Sequence, residues 1–568
     1  MAAVGWLEGY GGGLVNRPML LNGGRKAFLS RLIANAAGQA GLLFGNAMLI
    51  RWAFDRFLSQ GAAGGREVLH LGAALLMAAV AGGWLQWRER ILAEELGQSY
   101  VHALRMRLFR QVTRMDPRRL QKKRRGAVML KFVGDLNAVR RWVGIGLVRL
   151  IVSTALIASA LAVLCLIDML LALAVTAILG AGVLLNTRTG EALRAAAMET
   201  RRRRSRLSAN ISEKLGQVAV MQAFGRTDRD VRRVRRQSRS LRSALVHRAG
   251  KVGEIRGVTQ ISTAAAAAAL LVVGILRVRD GHTTPGTVAA AMAVMGILLP
   301  ALKNLSRVFE YHQEYQVASQ KLDAFLAEPA YARIGRRRPD LAAGPGALRL
   351  EGVRVKGVLR GVTAAFPAGS VCALVGPNGS GKSTLVSVAA RLIRPDRGRV
   401  LLDGQDIAKV SAASLRRAVG IASPDLPLMT GSLEKNLRYR CPECTHGELE
   451  RVAALCGVGA FLEGARRGRH FRILEDGRNL SNGQRQRIQL ARALAGSPRI
   501  LLLDEADAFM DASTQALLEE VIRTFAGTVI WVTHRDPLAL PADSVWRLTD
   551  GVLSPEPTAG AGLRKVAG

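Results

Sequence analysis

Six mostly apolar stretches, each long enough to cross a bilayer, fall within the first 305 residues of this 568-residue chain. They run over about 30–57, 67–87, 143–166, 169–187, 256–276 and 285–305. A membrane core about 30 Å thick takes ~20 such residues as a helix, and a helix satisfies its own backbone N–H and C=O groups there. The pattern therefore predicts an all-α bundle of six transmembrane helices. Ile167-Asp168 alone separates the third span from the fourth, which makes it a tight outer turn. The sixth starts after Thr284-Pro285-Gly286 and carries Pro300, where a kink is expected. Arg51 and Asp55 stand at i,i+4 spacing near the outer end of the first span and are expected to pair at the interface.

Charge orients the bundle. The formal net charge is +38. Residues 346–568 hold 30 Lys/Arg and 22 Asp/Glu, about +8, so residues 1–345 carry about +30. Between spans, residues 88–141 hold 15 basic side chains against 5 acidic, and residues 188–256 hold 19 against 6. The short connections on the other side hold very few. This positive-inside asymmetry puts the long connections in the cytoplasm. They are predicted to be helical hairpins, since 188–255 contains no proline and 88–140 is broken only at Pro117 and Gly126. Their arginine runs (Arg201 to Arg204, Arg232-Arg233, Arg235-Arg236) suit a solvated face near anionic lipid. Binding of nucleic acid would explain the charge but leaves the apolar spans without a purpose, so none is expected. The first 25 residues are Gly-rich without a compact apolar core, and no cleavable signal peptide is expected.

Residues 327–346, with Arg336-Arg337-Arg338-Pro339 and Gly344-Pro345-Gly346, form a linker. Beyond it, short Val/Leu-rich strands alternate with helices, which reads as a parallel α/β sheet. The five cysteines form no disulfide framework. Cys441-Pro442-Glu443-Cys444 has metal-ligand spacing but no second ligand pair, so two reduced thiols are expected there.

The chemistry sits in this second domain. Val371 to Val375 is a buried strand, and a helix opens at Lys382. The loop between them, Gly376-Pro377-Asn378-Gly379-Ser380-Gly381-Lys382-Ser383-Thr384, is glycine-rich so that its N–H groups can turn inward around a polyphosphate. The helix N-terminus adds a positive dipole. ATP is the expected ligand, with Lys382 reaching the β- and γ-phosphates and Ser383 offering its hydroxyl to Mg²⁺. Ile500 to Leu503 is a second apolar strand that ends in Asp504-Glu505. Asp504 would hold Mg²⁺ through water, and Glu505 would polarise the attacking water. His534, after the strand Thr528 to Val532, would contact the γ-phosphate or orient Glu505.

With these parts in order, the chain resembles an exporter-type half-transporter of the ATP-binding cassette superfamily over nearly its whole length. Leu480-Ser481-Asn482-Gly483-Gln484 and the helix after it are similar to the family signature. Glu475-Asp476-Gly477 resembles the exporter loop that meets the cytoplasmic hairpins, and Asp511 fits the loop after the catalytic glutamate. Arg124-Arg125-Gly126 through Asp135, and Ile211-Ser212-Glu213 through Arg226, resemble the two coupling hairpins. The resemblance implies a dimer in which two ATP molecules are sandwiched, each between Lys382 of one cassette and Ser481, Gly483 and Gln484 of the other. It also implies this layout: an N-terminal leader over 1–28, a transmembrane domain over 29–326, the linker, a cassette domain over 347–556, and a tail over 557–568.

Four departures stand against the pattern, one of them Ala508-Phe509-Met510 where relatives show Ser-Ala-Leu before the aspartate. The signature's third position, normally glycine, is Asn482. The glutamine that usually follows the middle strand is replaced by Pro424. The aromatic that stacks on adenine in relatives is missing near Lys356-Gly357, where Lys356 or Arg360 could stack instead. The expected function is ATP-driven export across the cytoplasmic (inner) membrane by a multi-pass protein with its cassette in the cytoplasm. The Ala/Leu/Val-rich spans, with few polar residues (Asn35, Gln39, Asn46, Gln260, Ser262, Thr263, Asn304), favour an amphiphilic or lipid-like cargo. The alternative is a partner subunit of a heterodimeric exporter with one weak ATP site.

Overall fold

The computed structural model describes residues 24–59, 65–116, 119–120, 123, 125–329, 338–459, 471–507, 512–535 and 541–556. The chain divides into two compact units. One holds almost all of Met1–Pro329, and the other holds Ala330–Gly568 with a short piece near residue 117.

The described secondary structure of the first unit is all helix, joined by short turns. It comprises α1 (Gly24–Ser59), α2 (Gly65–Arg114), α3 (Gly126–Ile167), α4 (Met169–Leu215), the short α5 (Val218–Ala223), α6 (Thr227–Arg279) and α7 (Pro285–Leu326). Six of these are long and apolar enough to cross a membrane. At 1.5 Å per residue, the 50 residues of α2, 47 of α4 and 53 of α6 extend roughly 70–80 Å, more than twice the hydrocarbon thickness. Each helix therefore continues well past the membrane as the predicted basic hairpins, because nothing in their charged continuations breaks a helix.

The bundle is centred on α7, whose apolar window is 50% buried. Leu43, Ala160, Leu164, Val175, Leu270, Ala291 and Leu298 form its core. Backbones approach closely where α2 crosses α3: a Cβ on Gly144 would lie 2.8 Å from the Ala93 carbonyl oxygen, so only glycine fits. Asp168 ties the outer turn together. Its carboxylate caps α4 by accepting from the N–H of Leu170 (2.9 Å) and pairs with Arg277 at 2.9 Å. Arg51 and Asp55 do pair, at 3.8 Å, and Asp55 also accepts from the N–H of Gly286 at the start of α7. Helix α7 runs on through Pro300. Several polar residues of the spans are spent on packing: Asn35 donates to the Leu85 carbonyl and Gln39 to Glu89, both across to α2.

The second unit begins with β1 (Leu348–Val355), β2 (Leu359–Phe366), β3 (Val371–Val375) and α8 (Lys382–Ala389). It continues through β4 (Arg397–Leu402), β5 (Gln405–Asp406), α9 (Ala412–Ala418), β6 (Val419–Ala422), β7 (Gly431–Ser432), α10 (Leu433–Arg438) and α11 (His446–Leu455). After β8 (Arg472–Ile473) come α12 (Asn482–Leu494), β9 (Ile500–Asp504), α13 (Ala512–Thr524), β10 (Thr528–Val532), β11 (Ser544–Thr549) and β12 (Val552–Glu556). A six-stranded sheet runs β12-β11-β3-β10-β9-β6, parallel throughout except for its edge strand β12. Strands β3, β9 and β10 are buried at every position, as their largely apolar sequences require. A four-stranded antiparallel sheet, β2-β1-β4-β5, packs beside it. The expected pair of reduced thiols is corrected here: Cys441 and Cys444 are joined as a disulfide, their Cα atoms 5.3 Å apart. The turn between α10 and α11 brings them within bridging distance.

Candidate functional site

The site is built at the carboxyl ends of β3 and β9, neighbours of β10 in the sheet. The loop leaving β3 folds as a cradle that requires glycine. Gly376 has φ +149°, and a Cβ there would lie 2.2 Å from the Leu548 carbonyl oxygen on β11. Gly379 and Gly381 also have positive φ. Lys382 opens α8 and is 4% exposed. Its Nζ donates to the carbonyls of Gly376 (2.8 Å) and Pro377 (3.1 Å), so the ammonium curls over the loop it belongs to. Burial lowers its pKa, opposed by the charges of Glu505 and Asp504. Ser380 Oγ is buried and has no hydrogen-bond partner among the described residues.

The two chemistry-bearing strands meet through Ser383, whose Oγ donates to Asp504 Oδ1 at 3.0 Å. Asp504 is 4% exposed, and burial pushes its pKa up against the opposing hydrogen bonds from Ser383 and Ser423. A divalent cation of the Mg²⁺ kind prefers hard oxygen ligands. The hydroxyl–carboxylate pair beside an open-handed cradle fits one.

Glu505 follows at φ +51°, a left-handed conformation unusual for a side-chain-bearing residue. Its N–H bonds the Val532 carbonyl, which holds the bend against β10. His534, just past β10, places Nε2 3.3 Å from Glu505 Oε1. Lys382, Ser383, Asp504, Glu505 and His534 thus form one cluster. Strain of this kind gathers at functional positions.

The signature residues form a separate group. Ser481 caps α12 by accepting from the N–H of Gln484, and the Gln484 side chain accepts from the N–H of Ser481 in return, a capping box. Neither bonds to the phosphate loop among the described residues. Asn482 adds a side chain to the first turn, and its oxygen accepts from Arg485. Gly483 stands beside Thr514. Asp511 and Arg124 lie outside the described residues. Glu475–Gly477 forms a tight turn in which Asp476 takes a left-handed conformation at φ +55°. Where an aromatic would face adenine, Lys356 and Gly357 make an exposed turn, and Val358 packs against the Gly381 position.

One residue of the cluster escaped the sequence reading. Ser423, directly after β6, donates to Asp504 Oδ2 at 3.1 Å. A serine next to the missing glutamine was the signal available.

The family model for the ABC transporter transmembrane region matches residues 31–302, and that for the ABC transporter matches 359–508. The chain belongs to the ATP-binding cassette transporters. This ABC transporter is of the exporter half-transporter type, with membrane domain and ATP-hydrolysing cassette fused in one multi-pass chain. It is 24% identical over 473 residues to an uncharacterized ABC transporter ATP-binding protein of Bacillus subtilis, covering 80% of this chain and 77% of the relative. It is 27% identical to the ATP-dependent lipid A-core flippase of Chromobacterium violaceum (80% and 79% covered). It is also 27% identical to the fatty acid ABC transporter ATP-binding/permease protein of Mycobacterium tuberculosis (84% and 76% covered). The fold matches that of a bacterial Atm1-family ABC exporter with ATP bound, with a TM-score of 0.82 at 22% identity, over 93% of this chain and 95% of that one.

Proposed function

We propose that this transporter exports an amphiphilic, lipid-like substrate across the cytoplasmic (inner) membrane, with its cassettes in the cytoplasm. ATP would bind between the cassettes of a dimer. The observation that carries the reading is the separation of two half-sites: the Lys382/Asp504/Glu505/His534 cluster is assembled, while Ser481, Gly483 and Gln484 bond only among themselves or to other neighbours. A second cassette would supply the missing half. In the membrane, the apolar window of α2 is 0% buried within the protomer, so lipid or a second copy must cover it.

The roles follow from chemistry. The N–H groups of Gly376 to Thr384 and the Lys382 ammonium bind and orient the β- and γ-phosphates, with Lys382 exchanging its two loop carbonyls for phosphate oxygens. Ser383 and, through water, Asp504 would hold Mg²⁺, which when bound neutralises charge on the transferring phosphate. Glu505 accepts the proton of the attacking water, and His534 orients Glu505 or meets the γ-phosphate. Asp511 of the facing loop would close the pocket. The two coupling hairpins, the second of which carries the exposed α5, would transmit cassette closure to the spans. The partial apolar character of the spans, and relatives named for lipid A-core and fatty acid, support an amphiphilic cargo. Reconstitution in liposomes with fluorescent fatty acids and phospholipids tests this: ATP-dependent translocation of at least one is expected, and none for any amphiphile would refute it.

Asn482 supports a second reading, a heterodimer in which a partner with an unaltered signature completes the stronger site. Its side chain occupies the first turn of α12, where glycine would leave the N-terminus bare.

A further inference from the structure

The nucleotide cluster holds one more oxygen than the family resemblance assigns. Asp504 is bracketed by two hydroxyls, Ser383 on Oδ1 and Ser423 on Oδ2, at 3.0 and 3.1 Å. Ser423 is 4% exposed. Its oxygen is fixed from behind by the N–H of Asp425, and the N–H of Leu426 bonds the Ser423 carbonyl at 3.0 Å. That i to i+3 bond closes a β-turn with Pro424 at its second position, where the ring presets φ. The far side of the turn is pinned by α12. Arg492 donates to the carbonyls of Pro427 (3.0 Å) and Leu426 (2.5 Å), and Gln489 reaches the Leu426 carbonyl. The segment that lacks a glutamine is thus a braced turn that aims a hydroxyl at the carboxylate of the cation site.

We propose that Ser423 is a positioning residue for the divalent cation, taking the place left by the missing glutamine, while Pro424 stiffens the turn that presents it. The inference rests on the reading of this cluster as an ATP–Mg²⁺ site. A hydroxyl has two acceptor lone pairs beside its donor, so Ser423 can bond Asp504 and still accept from a water of the cation. Mg²⁺ keeps several waters when bound by proteins. An oxygen that orders those waters acts on the cation without ligating it.

The test uses the full-length protein in lipid nanodiscs and measures ATP affinity with Mg²⁺ and with EDTA. Mn²⁺ then replaces Mg²⁺ for electron paramagnetic resonance. Wild type is expected to bind ATP more tightly with the metal. Ser423→Ala should lose about tenfold of the metal-dependent affinity, the lower end of the usual effect of outer-shell partners. It should leave the EDTA value unchanged and alter the bound Mn²⁺ spectrum, and Ser423→Thr should restore both. Metal-dependent affinity unchanged in Ser423→Ala would overturn the proposal. So would an equal loss with and without metal, or failure of threonine to restore, since either marks a structural role alone. Should the alanine variant fail to assemble, Ser423→Cys keeps the volume but offers a poor partner for water on a hard cation, and the same tenfold loss is expected. Wild type that binds ATP without metal dependence, or not at all, would instead refute the ATP–Mg²⁺ reading itself.

Discussion

Replacing Gly376 by alanine sets the phosphate cradle against the sheet behind it. At φ +149° an L-residue is strained by ~1–3 kcal/mol. The new methyl would also lie 2.2 Å from the Leu548 carbonyl oxygen, in a strand held between β3 and β12. Overpacking at such a site costs ~1–3 kcal/mol. If the loop stays in place, the cassette loses about 2–6 kcal/mol. For a domain of this size that lowers its melting temperature by roughly 5–20 °C. If the loop shifts to relieve the overlap, part of that loss is recovered, but Ser380 and the N–H groups beside it move out of position. ATP affinity should then fall at least ~10-fold, the equivalent of ~1.4 kcal/mol. Thermal unfolding of the full chain in nanodiscs, with and without ATP, reads both quantities. A variant with unchanged melting temperature and unchanged ATP affinity would refute the argument that β11 backs the loop.

Lys382→Ala removes the charge facing the phosphates, worth ~4 kcal/mol at 4 Å in an effective dielectric of 20. The two carbonyl bonds it leaves behind offset part of this, so ATP affinity measured by calorimetry should fall about 30- to 100-fold. Asp504→Asn should raise the melting temperature of the nucleotide-free protein while abolishing metal-dependent ATP binding. The native carboxyl titrates above its unfolded value because burial disfavours its charge. The residue therefore opposes folding once ionised, and wild-type stability from this group falls as pH rises from the ordinary carboxylate value through the raised one. The asparagine variant should lack that part of the pH profile. Serine at both Cys441 and Cys444 should cost at most about 2 kcal/mol of cassette stability, since the closed loop is so short, and chemical denaturation measures it.

Much of this was legible because the relevant physics is local. A bilayer demands ~20 apolar residues in a row, so the spans declared themselves. The strand before Gly376 and the helix from Lys382 read directly from an apolar run that meets glycines. Arg51 and Asp55 were readable from helical spacing. What the same carboxylate does with Gly286, 231 residues away, was not. The backing of Gly376 by Leu548 was equally hidden, as it depends on β11 lying beside β3. Ser423 escaped because a serine after a strand has many uses, and only the register of β6 beside β9 aims it at Asp504. The disulfide was missed since two cysteines three apart suit thiols, metal and bridge alike until the turn between them is known.

On the proposed reading, this chain hydrolyses ATP with Glu505 at a site completed by a second cassette. Mg²⁺-dependent ATPase of the purified chain in nanodiscs, beside Glu505→Gln, tests it most directly. Turnover by the chain alone is expected, lost in the variant, which should remain as a nucleotide-bound dimer. An undiminished rate in Glu505→Gln would contradict it.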